Sequence, residues 1–82
     1  MVNWTRFDPD DFDFEFAISK LEAHDVSGEE AAEVFAKPFD VRRNKSYRDR
    51  YRITGTTDAG RLLLLIVHVQ ERRIRVITGW PL

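Results

Sequence analysis

Arg48, Arg50 and Arg52 are spaced by two, and on a β-strand that spacing projects three guanidinium groups from one face at intervals of roughly 6 to 7 Å. A planar guanidinium grips a phosphate through two parallel N–H bonds, so a ladder of this kind suits a phosphate-bearing polyanion. Arg73 and Arg75 repeat the spacing in a later segment and extend the patch if they share its face. The competing reading is a solvated strand face whose arginines pair with carboxylates from elsewhere in the chain. Two histidines, His24 and His68, supply the side chains suited to proton transfer near neutral pH. His24 falls where a helix is expected to end, a position that equally suits a cap against the negative end of the helix dipole. His68 falls in an apolar strand, where a satisfied core histidine is the simpler reading. Tyr47 and Tyr51 could stack on bases, or simply form the apolar face of the sheet. Trp80, beside Pro81, is a candidate for covering a sheet edge or meeting a partner. There is no cluster with metal-ligand spacing, no glycine-rich phosphate loop and no Ser/His/Asp arrangement, so neither a metal nor a cofactor is expected.

Charge separates along the chain. Residues 1 to 40 hold eleven Asp/Glu against Arg6, Lys20 and Lys37, a balance of −8, whereas residues 41 to 82 hold ten Lys/Arg against Asp49, Asp58 and Glu71, a balance of +7. The formal total of −1 conceals this division. An acidic helical part and a basic strand part predict one positive sheet surface, the footprint a polyanion needs.

The elements that position these residues follow from periodicity. Asp8-Pro9-Asp10-Asp11 has the composition of a helix start, and a helix over about 9 to 24 aligns Phe14, Ile18 and Leu21. Ser27-Gly28-Glu29-Glu30 is a capping box opening a second helix, with Ala31, Val34 and Phe35 on one face and Pro38 ending it. Arg42-Arg43-Asn44-Lys45 reads as a basic loop. From residue 46 the period becomes two. Thr57-Asp58-Ala59-Gly60 marks a turn, Arg61 to Val69 a strand, Gln70 to Arg72 a second turn and Arg73 to Gly79 a third strand. Leu62 to Val67 is apolar at every position, which predicts a central strand covered on both faces. The expected fold is α+β in one domain spanning 1 to 82. Two N-terminal helices (acidic part about 8 to 40) pack on a three-stranded antiparallel meander (basic part about 46 to 79), with room for a short edge strand near 2 to 7.

At 82 residues such a domain buries a limited core, so pairing with a second copy as a homodimer is a reasonable expectation. The absence of cysteine fits a reducing compartment. The longest apolar run falls far short of the ~20 residues of a membrane span, and the acidic N-terminus has no signal-peptide pattern. A cytoplasmic protein with no membrane partner is expected.

Several segments together resemble one family. Leu21-Glu22-Ala23-His24-Asp25-Val26-Ser27-Gly28-Glu29-Glu30-Ala31 with Val34-Phe35 and Pro38, Arg50-Tyr51-Arg52-Ile53-Thr54-Gly55, Gly60-Arg61-Leu62-Leu63, and Arg73-Ile74-Arg75-Val76-Ile77-Thr78 resemble, in order and spacing, segments of the BrnT-like toxins. The likeness covers most of residues 14 to 79. It implies a compact RelE-like fold and a type II toxin that cleaves RNA without a metal. It also implies a cognate antitoxin with a ribbon-helix-helix DNA-binding part. By position, the resemblance puts His24, Arg50, Arg61 and Arg75 in catalytic roles, orienting the scissile phosphate and promoting attack by the neighbouring 2′-hydroxyl, with Arg48, Arg52 and Arg73 as further RNA contacts. The chain departs from the family at Ala23, where a lysine is usual, at Phe16-Ala17, and at Thr78-Gly79-Trp80, where an arginine is usual. It also stops at Leu82, where many relatives continue into a C-terminal helix. Loss of one transition-state donor slows such a reaction roughly 10²- to 10³-fold, so a slow or inactive nuclease is expected. A non-catalytic RNA- or protein-binding module of the same fold is the second expectation, and a small structural or dimerisation domain with mutually satisfied charges the third.

Overall fold

The computed structural model describes residues 12 to 44, 48 to 70 and 73 to 82. Strand β1 (Phe12–Asp13) leads through a 3-10 turn (Glu15–Ala17) into helix α1 (Ile18–Ala23). Helix α2 (Gly28–Phe35) and strands β2 (Asp40–Arg43), β3 (Arg50–Thr56), β4 (Leu62–Gln70) and β5 (Arg73–Pro81) follow. They form one sheet in the order β1-β5-β4-β3-β2, antiparallel throughout except for the parallel β1–β5 pair.

This corrects the expected two helices on a three-stranded meander: the sheet is mixed and five-stranded, and the helices are short. The first helix gives way because Phe12, Asp13 and Phe14 alternate as a strand does, and two residues pair with Ile74 and Arg75. The Asp13 carboxylate then accepts the Glu15 N–H at 3.1 Å at the start of the 3-10 turn, which the Ala17 N–H closes on the Phe14 carbonyl at 2.9 Å. The basic stretch at 42 to 43 is strand rather than loop, pairing with Arg52 and Tyr51. Its alternation is too short to register as periodicity. Arg48 lies in a turn that ends at Asp49, whose φ of 60° places it in the left-handed region that Asp tolerates, so β3 begins only at Arg50. The expected edge strand near 2 to 7, the helix start at Asp8-Pro9, Tyr47 and part of the turn at 70 to 72 lie outside the described residues.

Other local signals act as their chemistry requires. Ser27 accepts the Glu30 N–H and Glu30 accepts the Ser27 N–H, both at 3.1 Å, completing the capping box of α2. Helix α1 ends in a Schellman motif: the Val26 N–H reaches the Leu21 carbonyl at 2.9 Å, the Asp25 N–H reaches Glu22 at 3.0 Å, and Asp25 takes φ 62°. The motif turns the chain sharply enough to bury Leu21 and Val26 together. The core lies between the helices and one face of the sheet, from Ala17, Leu21, Val26, Ala31 and Val34 above to Ile53, Leu63, Leu65, Val67, Ile74 and Val76 below. Phe12, Phe14, Phe35 and Phe39 flank it, with the Phe12 and Phe35 ring centroids 4.1 Å apart. No helix among the described residues is long and apolar enough to cross a membrane.

The helices approach the sheet over glycine. A Cβ on Gly79 would stand 2.5 Å from Leu65 Cδ2, 2.9 Å from the Leu64 carbonyl oxygen and 3.1 Å from Leu21 Cδ2, and one on Gly55 would stand 2.7 Å from Val34 Cγ1. Gly79→Ala is therefore expected to destabilise the fold by about 1–3 kcal/mol through overpacking. Gly28→Ala, with open space around its Cα, should stay within about 1 kcal/mol of wild type. Urea denaturation of both variants checks the contrast, and equal midpoints would contradict the packing.

Candidate functional site

Pairing of β3, β4 and β5 decides which side chains meet. Tyr51, Ile53, Leu63, Leu65, Val67, Ile74, Val76 and Gly79 alternate onto the helix-covered face, so the intervening residues fall on the other face. There Arg50, His68 and Arg75 lie directly opposite one another across three strands, and Asp13 of β1 pairs beside Arg75. The next row carries Arg42, Arg52, Ile66 and Thr78. Neighbouring strands are roughly 4.8 Å apart, so these rows are contiguous.

Arg42 and Arg52 are exposed, while Arg50, His68 and Arg75 are half-buried. The Arg75 Nε stands 3.7 Å from the Asp13 carboxylate. Asp40, paired with Thr54, is the other acid that strand alternation puts on this face among the described residues. Like charges placed directly across strands, as Arg42 and Arg52 are, weaken a sheet by roughly 0.2–1 kcal/mol per pair.

Not every expected site residue joins the group. Arg61 is held at the opposite end of β4, roughly 20 Å from the Arg50–His68–Arg75 row by strand rise. Its guanidinium bonds the Glu30 carboxylate at 3.0 and 3.1 Å and the Asp25 carbonyl at 2.7 Å, with the Asp25 carboxylate at 3.5 Å. It fastens the α1–α2 connection to the start of β4. His24 is the C-cap residue of α1, exposed, with its ring centroid 6.0 Å from that of Trp80. Trp80 pairs with Leu64, four residues from His68, which sets His24 about 13 Å along the strand from the cationic row. Trp80 thus lies within β5, packed beside His24. Arg73 shares the face away from the helices and pairs with Gln70 beyond the main row, and Arg48 sits exposed in its turn.

One member, Arg42, escaped the sequence reading, and His68 is a proton-transfer candidate there for which a core role is the simpler reading. Arg42 was hidden in a presumed loop. His68 looked like a core residue because its strand is apolar, yet it alternates with the fully buried Leu63, Leu65 and Val67. Parity within β4 was the available signal. No group of three or more His, Asp or Glu side chains among the described residues is placed to hold a metal ion.

Acidic residues near the helices have their own work. The Ser27 backbone N–H first, and then the Arg61 guanidinium, hold the Glu30 carboxyl below the ordinary carboxylate range. A lowered folded-state pKa means stability that is present above the ordinary glutamate range and lost as pH falls through it towards the lowered value. Wild-type protein should therefore lose more stability than Glu30→Gln between neutral pH and a pH below the ordinary glutamate range, measured by denaturant midpoints. Parallel losses would contradict the assignment.

Comparison with known protein families, curated proteins and solved structures finds no match to this chain.

Proposed function

We propose that the face of the sheet away from the helices binds single-stranded RNA through its phosphate backbone. The observation that carries this reading is the convergence of Arg42, Arg50, Arg52 and Arg75 on the side of the sheet away from the helices. Arg50 and Arg52 are spaced to meet successive phosphates along one strand, and Arg42 and Arg75 broaden the track to either side. Arg73 continues it past the end of the main row. The resemblance to BrnT-like toxins motivates RNA as the polyanion and a ribbon-helix-helix antitoxin as the protein that covers the same face.

A toxin-type ribonuclease is the second reading, favoured by the histidine that lies between Arg50 and Arg75. Its chemistry would differ from what the family likeness implies. Arg61 is committed to Glu30 and Asp25, and His24 lies apart, so Arg50 and Arg75 would carry the phosphate handling. Binding without cleavage needs none of the missing groups and is the function the geometry supports best.

Affinity for a short single-stranded RNA should fall steeply with salt, and the slope of log K against log salt should shrink by roughly 0.7 for each of Arg42, Arg50 and Arg52 changed to alanine. Lys37→Ala, whose ammonium group pairs with Asp58 at 3.0 Å near the β3–β4 turn, should leave the slope unchanged. Salt-independent binding, or equal slopes in all variants, contradicts the proposal. Incubating the same RNA with the protein and a chelator separates the two readings: an intact oligonucleotide supports binding alone, whereas a ladder abolished by Arg50→Ala supports cleavage.

A further inference from the structure

We propose that two copies of this chain associate through β2, the strands pairing antiparallel about a two-fold axis at Val41 so that Asp40 of each copy meets Arg42 of the other. Association of this kind is independent of RNA binding.

Among the described residues β2 is the last strand of the sheet and pairs on one side only, with β3. The ladder shows which backbone groups are left over. The Asn44 N–H reaches the Arg50 carbonyl at 2.9 Å, so by alternation Asn44, Arg42 and Asp40 direct their backbone groups at β3, while Val41 and Arg43 direct theirs outward. An open row of amide and carbonyl groups is a template for another strand. Helix packing falls on β3, β4 and β5, and Asp40, Arg42 and Arg43 are all exposed.

Symmetry and charge together select one register. A two-fold axis relating antiparallel edge strands runs normal to the sheet and keeps both helix layers on one side, so each residue lies opposite one that points to the same face. Centred on Asp40, the pairing opposes two aspartates, and centred on Arg42 it opposes two arginines. Centred on Val41, it opposes Asp40 to Arg42 twice on the face away from the helices, and it brings the two Val41 side chains together beside the core they flank. The Val41 N–H of each copy then donates to the Val41 carbonyl of the other. Neither Asp40 nor Arg42 forms an ion pair with another described residue, so the second copy supplies the partner that each lacks within the chain. A guanidinium has several N–H donors, enough for a carboxylate and a phosphate together, so the pairing is compatible with the cationic track. The product is one continuous sheet with five strands from each copy.

Strands of four residues bury little surface between them, so a weak, concentration-dependent dimer is expected. Sedimentation equilibrium of the full-length protein without RNA, over about 10 µM to 1 mM, should show the average mass rising from the 9.7 kDa of one chain towards twice that value. Asp40→Arg and Arg42→Asp each set like charges opposite one another at both contacts and should weaken association roughly tenfold or more. Asp40→Asn removes the charge with little change of shape and should weaken it to a smaller extent, which guards against a reversal that fails to fold. Mixed in equal amounts, the two reversed variants restore opposite charges at both contacts and should associate about as well as wild type. Wild-type protein that stays monomeric across the range overturns the proposal. So does a dimer that no charge variant weakens, which puts the interface elsewhere, or a mixture that fails to recover.

Discussion

The register of β3 against β4 and of β4 against β5 is the constraint from which the rest of the molecule follows. Side chains on a strand alternate between faces, so a slip of one residue would carry Ile53, Leu65, Val67, Ile74 and Val76 to the side away from the helices. The same slip would drive Arg50, Arg52, His68 and Arg75 into the core. Burial of each large aliphatic side chain contributes about 1.5–3 kcal/mol, and loss of that contribution together with burial of several charges makes every alternative register far less stable. The apolar face therefore aligns the cationic one. No direct attraction among the arginines is required, and mutual repulsion is overcome by packing on the far side of the sheet.

A local irregularity completes the alignment. The β4–β5 ladder shifts between Ile66 and Val67, with Ile77 as the extra residue on β5. Without it, strict alternation would place Val76 and Gly79 on opposite faces. With it, both lie under the helices, where Gly79 lets Leu21 and Leu65 close over the sheet, and Arg75 remains on the open side. The bulge reconciles a tightly packed end of β5 with a charged one.

Charge follows the same division. The acidic half of the chain supplies Asp25 and Glu30 to Arg61, and Asp58 pairs with Lys37, so those cations join helices to sheet ends. Arg61, the residue after Gly60, lies within reach of the capping-box glutamate of α2, which holds it. One carboxylate thus closes a helix start and anchors a strand start. Arg42, Arg50, Arg52, Arg73 and Arg75 lie on the far side of the sheet from that acidic connection, with the Asp13 carboxylate 3.7 Å from Arg75.

Much of the local structure was legible in the chain. The Ser27–Glu30 box fixes α2 because both hydrogen bonds form within four residues, and the apolar run from Leu62 to Val67 marks β4 as central, although Leu62 at its start is exposed. Of the period-two arginines, Arg50 and Arg52 share a strand face, and Arg48 lies in the turn before it. Short or ambiguous patterns were not legible: Phe12 to Phe14 satisfies either a helix stripe or a strand, and the partner that decides it, Ile74–Arg75, lies some sixty residues away. Sequence alone thus determined which residues could cap, turn or alternate, since those preferences act between near neighbours. Tertiary structure alone decided that β1 and β2 join the sheet, that a bulge resets β5, and that His68 rather than His24 or Arg61 stands between Arg50 and Arg75. Those outcomes depend on hydrogen bonds and burial between segments remote in the chain, which no local pattern encodes.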